Sequence, residues 1–175
     1  MGRFAPHKGL NLLLDAFAAY SAADPTCHLA LAGVPGPFDV AAHRARLKPE
    51  AAARVHVIEK PSDAQLKGLY QGCTAYVSAS QHEGFCVPLA EALGFEKPVF
   101  AFDTPAVRET LGEAGWLFTE RDPAALAALW RSVLLEREGL EERAVGIRAR
   151  GAALRSAADG RLLWRALADA ARRTA

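Results

Sequence analysis

The chain has 175 residues, of which 51% are hydrophobic and 23% charged, and its formal net charge at pH 7 is +1. This composition predicts one globular domain with a substantial core, and the near-zero net charge gives no electrostatic case for nucleic acid or a membrane surface. No apolar run approaches a membrane span, and the cysteines Cys27, Cys73 and Cys86 lack metal-site spacing, which indicates reduced thiols in a cytosolic protein.

Helical and strand patterns alternate along the chain. Residues 9–23 place Leu10, Leu13 and Phe17 on one helical face, which predicts an amphipathic helix, and 28–33 (HLALAG) predicts a strand that ends in glycine. The other predicted strands cover 54–58, 74–78, 97–102 and 115–118, and the other predicted helices cover 39–48, 64–72, 88–96, 106–112 and 123–139, followed by an Arg-rich helix and a last helix at 161–173.

This alternation predicts an α/β domain with a parallel sheet flanked by helices, followed by a helical tail from Pro123 onward. Ser62 or Asp63 is expected to cap the helix at 64–72. In parallel sheets of this kind, ligands bind beyond the carboxyl ends of the strands. The loops that follow the predicted strands are therefore expected to form the functional site.

The stretch 78–99 carries the strongest functional pattern, in which seven residues separate Glu83 from Glu91. A strand leads through Gly84 into a helix, which leaves the backbone N–H groups of Phe85, Cys86 and Val87 at the helix start. Together with the helix dipole, such donors favour an anion such as phosphate. An anion site flanked by two carboxylates is expected here.

This stretch resembles the E-x7-E motif of retaining glycosyltransferases with the two-Rossmann-domain (GT-B) fold, family 4 in particular. The first residues, GRFAPHKG, are similar to the G-R-x-x-x-x-K-G segment of the same family. The resemblance extends to about Pro123. It implies a Rossmann-like domain that corresponds to the C-terminal, donor-binding half of the GT-B fold.

The resemblance also implies roles for individual residues. Arg3 and Lys8 would bind the two phosphates of a nucleotide sugar and act in catalysis, so that neither a metal ion nor any cofactor is needed. Glu91 would accept hydrogen bonds from the ribose hydroxyls, since a carboxylate offers acceptors to both. Glu83 would act catalytically, near the transferred sugar. The remaining nucleotide-sugar contacts would come from the base-binding loop and the helix start, namely Lys60, Pro61, Gly84, Phe85, Cys86 and Val87.

The sequence departs from the family pattern at Cys86, at Glu96 and at the start of the chain. Cys86 stands where glycine is common and is interpreted as a buried thiol. Glu96 replaces a frequent glycine, which predicts a different helix end. Only Met1 precedes Gly2, so the family's first strand and its acceptor-binding N-terminal domain are expected to lie outside residues 1–175. The arginines between Arg143 and Arg155 are expected to form a solvated helix face.

We therefore expect the donor-binding domain of a cytoplasmic hexosyltransferase, whose parent acts at the inner face of the membrane. It would use a GDP-mannose or UDP-hexose donor and a glycan or glycolipid acceptor, and residues 1–175 alone would transfer little sugar. The alternative is a nucleotide-sugar-binding or protein-interaction module without catalysis. A dinucleotide-dependent oxidoreductase is disfavoured, because GVPGPF does not match the G-x-G-x-x-G fingerprint.

Overall fold

The computed structural model describes residues 1–82 and 84–157. Strands and helices alternate there as the sequence predicts. The strands are β1 (Gly2–Arg3), β2 (Leu29–Val34), β3 (Val55–Glu59), β4 (Tyr76–Ser78), β5 (Val99–Phe102) and β6 (Trp116–Phe118). The α-helices are α1 (Leu10–Tyr20), α2 (Val40–Arg44), α3 (Pro49–Ala52), α4 (Asp63–Gly72), α5 (Val87–Gly94), α6 (Pro105–Leu111), α7 (Pro123–Trp130) and α8 (Leu140–Ala157).

All strand pairs are parallel, which confirms the α/β prediction, but they form two three-stranded sheets instead of one. The first sheet has the order β1-β2-β3 and the second the order β4-β5-β6. In the described part of the chain no ladder joins the two sheets. They are joined by packing, because helices α1, α5 and α7 contribute to a single hydrophobic core.

The first strand is represented by two residues, Gly2 and Arg3, which pair with Gly33 and Val34 of β2. The strands approach closely there, since a Cβ on Gly33 would lie 1.8 Å from the carbonyl oxygen of Gly2. Beside the part of β2 that precedes Gly33, a groove of about 620 Å³ opens between the two sheets. Apolar side chains from β2, β4, α1 and α7 line it, including Leu13, Phe17, Leu31, Val77 and Trp130.

The core is densest around α5 and β5. Leu89, Ala92 and Leu93 of α5 and the segment 99–101 of β5 have no solvent-exposed area. Phe100, at the centre of this group, stacks on Trp116 of β6 with 5.2 Å between ring centroids. The helix that carries Glu91 is thus packed against the best-buried strand of the second sheet.

Helix caps explain several element boundaries. Ser62 caps α4 in a reciprocal capping box with Gln65. This confirms Ser62, and not Asp63, as the predicted cap. The predicted helix at 39–48 ends early, at Arg44, and Pro49 begins the separate helix α3. Proline suits the first turn of a helix because its missing N–H would have no partner there. The sequence prediction used Pro49 only as a stop signal, so it missed α3.

The tail is helical as predicted, with Asp122 capping α7 and a single π-helical turn at Arg131–Leu135 before α8. The predicted last helix, 161–173, lies outside the described residues. Within residues 1–82 and 84–157, no helix is long and apolar enough to cross a membrane.

The arginines of α8 do more than cover a solvated face. That expectation is wrong for Arg143 and Arg150, which are half-buried, whereas Arg155 is exposed and also donates a hydrogen bond. Arg143 donates to the carbonyl of Gly115 at 2.9 Å, Arg150 to that of Thr110 at 2.9 Å, and Arg155 to that of Gly94. Carbonyls near the carboxyl ends of helices lack intrahelical partners, and cationic side chains bind them well. Arg150 and Arg155 thus hold α8 on α6 and α5, and Arg143 holds it on the segment that precedes β6.

The carboxyl end of α5 keeps the geometry of a glycine cap although Glu96 occupies the position. The N–H of Glu96 donates to Leu93 and the N–H of Lys97 to Ala92, which together form a Schellman motif. Glu96 has a φ of 57°, in the left-handed region that favours glycine. The prediction of a different helix end is therefore wrong, because hydrogen bonding and core packing impose the same turn on glutamate.

We expect Glu96→Gly to raise the free energy of unfolding by about 1 kcal/mol, the cost of a left-handed conformation for a residue with a Cβ. Glu96 is exposed and loses no buried contact on replacement. Urea titration of both proteins checks this, with Glu96→Ala as the matched control, since alanine keeps the Cβ. An equal gain from alanine would attribute the effect to the lost charge and contradict the backbone explanation.

Candidate functional site

The loops after the first four strands meet at the carboxyl edges of the sheets. The N–H of Gln81, after β4, donates to the carbonyl of His7 at 2.9 Å. The N–H of Lys60, after β3, donates to Gly33 at the end of β2 at 2.7 Å. A Cβ on Gly36 would lie 3.0 Å from Cγ of Arg3. These contacts place Arg3, Lys60 and the start of the loop after β4 on one edge of the molecule.

The segment that carries Arg3 and Lys8 has a fixed shape. Residues Pro6–Lys8 form one 3-10 turn, which ends at Gly9 with a φ of 65°. A Cβ on Gly9 would lie 2.5 Å from the carbonyl oxygen of Ala79, so only glycine permits this approach to the loop after β4. Lys8 turns back toward β1, where its Cε would lie 3.8 Å from a Cβ on Gly2. Both cations are therefore held near the end of β1.

The amino end of α5 has the predicted strand–loop–helix arrangement. Cys86 precedes the helix with a φ of 30°, and its side chain is buried, which confirms the interpretation as a buried thiol. Its left-handed backbone explains why glycine suits this position. Among the described residues, none accepts a hydrogen bond from the N–H of Phe85 or Val87. These donors can meet an anion at the helix start.

Glu91 lies one turn into α5 and is half-buried. Its Oε2 accepts a hydrogen bond from the hydroxyl of Tyr70, on α4, at 2.8 Å. The same hydroxyl lies 3.1 Å from the carbonyl oxygen of Pro88. A buried carboxylate needs such a donor, because an unpartnered one would be costly. Glu91 is thus held by the protein itself, and no donor among residues 1–82 and 84–157 binds its second oxygen.

Burial raises the pKa of Glu91 above its ordinary value, and the charge of Asp63 acts in the same direction. The hydrogen bond from Tyr70 and the positive charge of the chain's amino terminus lower the pKa and oppose that shift.

We expect Glu91→Gln to stabilise the domain at neutral pH and to lose this advantage in acid. Because the pKa of Glu91 is raised from 4.5 in the folded state, the ionised carboxylate destabilises the fold. The native chain's stability relative to the variant should therefore fall as the pH rises from 4.5 through the raised pKa. Thermal unfolding across this range checks it, with the exposed Glu109→Gln as control. A difference that does not depend on pH would contradict this explanation.

The structure describes the other predicted site residues except Glu83. Lys60 and Pro61 follow β3, where Lys60 has a φ of 48°. Gly84 and Phe85 are exposed, and half of the Phe85 surface is accessible. Glu83 lies outside the described residues, so its place near the transferred sugar stays a prediction. Among the described residues, no group of three or more His, Cys, Asp or Glu side chains could hold a metal ion.

The sequence interpretation missed Tyr70 and Arg121. Arg121 follows β6, donates to the carbonyl of Ala79 at 3.3 Å, and lies over the ring of Phe102 at 5.5 Å. It therefore supports the end of β4, from which the site loop starts. The only signal for Tyr70 was that a buried Glu91 requires a donor. The sequence does not specify which residue donates, because α4 and α5 come into contact only in the folded structure.

Comparison with known proteins identifies relatives of this chain. A family model described as "Glycosyl transferases group 1" matches residues 1–150. The chain is 31% identical over 128 residues to the serotype-specific mannosyltransferase WbdA of Escherichia coli, a match that covers 73% of this chain. The chain spans only 16% of the length of that relative.

Solved structures share the fold. The C-terminal domain of LpcC, a group 1 glycosyl transferase of Francisella tularensis, superposes with a TM-score of 0.72 at 20% identity, over 90% of this chain and 83% of that one. The pneumococcal O-GlcNAc transferase GtfA, solved with UDP and GlcNAc, gives 0.71 at 22% identity, over 87% of this chain and 32% of that one. The fold is therefore that of a GT-B C-terminal domain.

Proposed function

Because the chain belongs to the glycosyl transferases group 1 family, we propose that it is the donor-binding domain of a retaining, family 4 hexosyltransferase. The observation that carries the proposal is that the segment of Arg3 and Lys8 contacts the loop after β4, which leads into α5 and Glu91. Cations and backbone donors suit a diphosphate, and a carboxylate suits the ribose beside it. A nucleotide diphosphate sugar combines both groups.

The chemistry follows from charge. Breaking the bond between sugar and diphosphate places negative charge on the leaving group, and fixed positive charges near it lower the barrier. Arg3 and Lys8 supply those charges in the proposal, so that transfer proceeds without a metal ion or another cofactor. The backbone of 84–87 completes the phosphate contacts, and Lys60 and Pro61 contact the base. Glu83 contacts the transferred sugar.

The donor is proposed as GDP-mannose or a UDP-hexose. The mannosyltransferase activity in the name of WbdA supports the first, and the UDP bound to GtfA supports the second. The acceptor is proposed as a glycan or glycolipid, reached through a separate acceptor-binding domain in polysaccharide assembly. The proposed location is cytoplasmic, at the inner face of the membrane.

Calorimetric titration of the chain with UDP, GDP and ADP, and with their common sugar conjugates, tests the proposal. We expect one nucleotide diphosphate to bind, equally well with and without a metal chelator. Binding that requires added Mg²⁺ would contradict metal-independent transfer. A folded chain that binds none of these nucleotides would favour the second candidate, a protein-interaction module.

We propose further that the domain works within a longer polypeptide whose preceding residues extend β1. Support comes from the groove between the sheets. Gly2 pairs with Gly33, so residues before it in an extended strand would lie opposite Leu29 to Ala32 of β2. This edge of β2 carries no ladder before Gly33 among the described residues, and the groove beside it is lined by apolar groups.

An added segment tests this. About five β-branched apolar residues placed before Met1 would reach along the groove at about 3.3 Å per residue. We expect this extension to raise Tm, whereas a matched extension that contains proline and aspartate should not. Equal effects of the two extensions would contradict a strand in the groove.

A further inference from the structure

Tyr70 is a buried tyrosine that holds one oxygen of Glu91. Its side chain is 4% exposed, and its ring stacks on Phe95 with 5.4 Å between centroids and 9° between planes. Phe95 directly follows α5, and Pro88 and Glu91 lie within it. The phenol therefore contacts α5 at its beginning, middle and end, which fixes the hydroxyl relative to Glu91.

The hydrogen bond limits the orientations of the carboxylate. Burial raises the pKa of the Tyr70 hydroxyl far above its ordinary value, so it stays protonated and acts as a donor. A phenol hydroxyl has one proton, and the 2.8 Å distance to Oε2 of Glu91 is shorter than the 3.1 Å distance to the carbonyl of Pro88. With Oε2 occupied, Oε1 is the acceptor that Glu91 can present to a ligand.

We propose that Tyr70 is a positioning residue that orients Glu91 for the vicinal hydroxyls of a ribose and thereby selects ribonucleotides over deoxyribonucleotides. The inference rests on the proposed function, since it assumes that Glu91 meets the ribose of the donor. Tyr70 itself contacts no ligand. Without its hydroxyl the carboxylate would rotate, and its pKa would rise because a hydrogen bond that lowers it is lost.

The test measures the affinity of the native chain and of Tyr70→Phe for a nucleoside diphosphate and for its 2′,3′-dideoxy form. Phenylalanine keeps the ring and removes only the hydroxyl. We expect the native chain to prefer the ribonucleotide about tenfold, as for one hydrogen bond to a charged group. In Tyr70→Phe this preference should fall several-fold, while affinity for the dideoxy form is unchanged. Tyr20→Phe, which removes a hydroxyl from α1, should keep the native preference.

The pH dependence of the ribose preference is a second readout, which would not change in Tyr70→Phe if Tyr70 had only a structural role. The ribose preference requires the ionised carboxylate, so it should disappear on acidification, and it should do so at a higher pH in Tyr70→Phe than in the native chain. An unchanged ribose preference in Tyr70→Phe, or an equal loss of affinity for both nucleotides, would overturn the inference. If the native chain binds both nucleotides equally well, the inference about Tyr70 is overturned and the proposed function is not. If the native chain binds neither nucleotide, the proposed function is overturned together with the inference.

Discussion

Phe100→Ala is expected to destabilise the domain by about 3–5 kcal/mol, the usual cost of deleting a buried phenylalanine ring. Phe100 has no exposed area, lies in the central strand of the second sheet and stacks on Trp116. The cavity cannot close easily, because strands on both sides are fixed by ladder hydrogen bonds. A loss of this size takes much of the about 5–15 kcal/mol that stabilises a typical domain. Urea titration, followed by tryptophan fluorescence, measures it.

The matched control is Leu117→Ala, on the neighbouring strand. Leu117 is 36% exposed, and its side chain points away from the core on which Trp116 and Phe118 pack. We expect this variant to lose less than half as much stability as Phe100→Ala. Equal losses would show that any substitution in the second sheet disrupts it, and would contradict the special role of Phe100 in the core.

Lys8→Ala is expected to weaken binding of the preferred nucleotide diphosphate by about ten- to a hundredfold, the effect of one hydrogen bond between charged groups. The 3-10 turn and Gly9 hold Lys8 beside β1, near Arg3. A diphosphate has more charge than either cation can neutralise alone. We therefore expect Arg3→Ala to have a similar effect, and calorimetry measures both.

Lys67→Ala is the control for net charge. Lys67 is exposed on α4, and its replacement removes the same single positive charge from the domain. We expect it to bind nucleotide as the native chain does. If Lys8→Ala and Lys67→Ala weaken binding equally, the effect comes from total charge, and a phosphate contact by Lys8 is contradicted.

Local patterns were sufficient to predict most of the elements. The apolar spacing in α1 and the short apolar runs of β2 to β5 identify helices and strands, because such patterns reflect burial directly. The division into two sheets was not predictable in this way. β1 has two residues, and so short a strand carries no periodic pattern.

Two features, one at the site and one at the end of α5, could not be predicted from the sequence. The run around Glu91 predicted a buried helix, and Glu91 is indeed half-buried, but its partner Tyr70 lies 21 residues earlier on another helix. The left-handed turn at Glu96 was missed for the opposite reason. Local preference disfavours glutamate there, and the packing of α5 overrides that preference.

The contact between α5 and α8 has a consequence for affinity. A Cβ on Gly151 of α8 would lie 2.2 Å from the carbonyl oxygen of Leu93, so the two backbones touch, and Arg155 binds the last carbonyl of α5. The helix that presents Glu91 is therefore immobilised from its far end before a ligand arrives. In the proposed function, association with a nucleotide then loses little conformational entropy at this helix, so that residues of α8 that touch no nucleotide would contribute to the free energy of nucleotide binding.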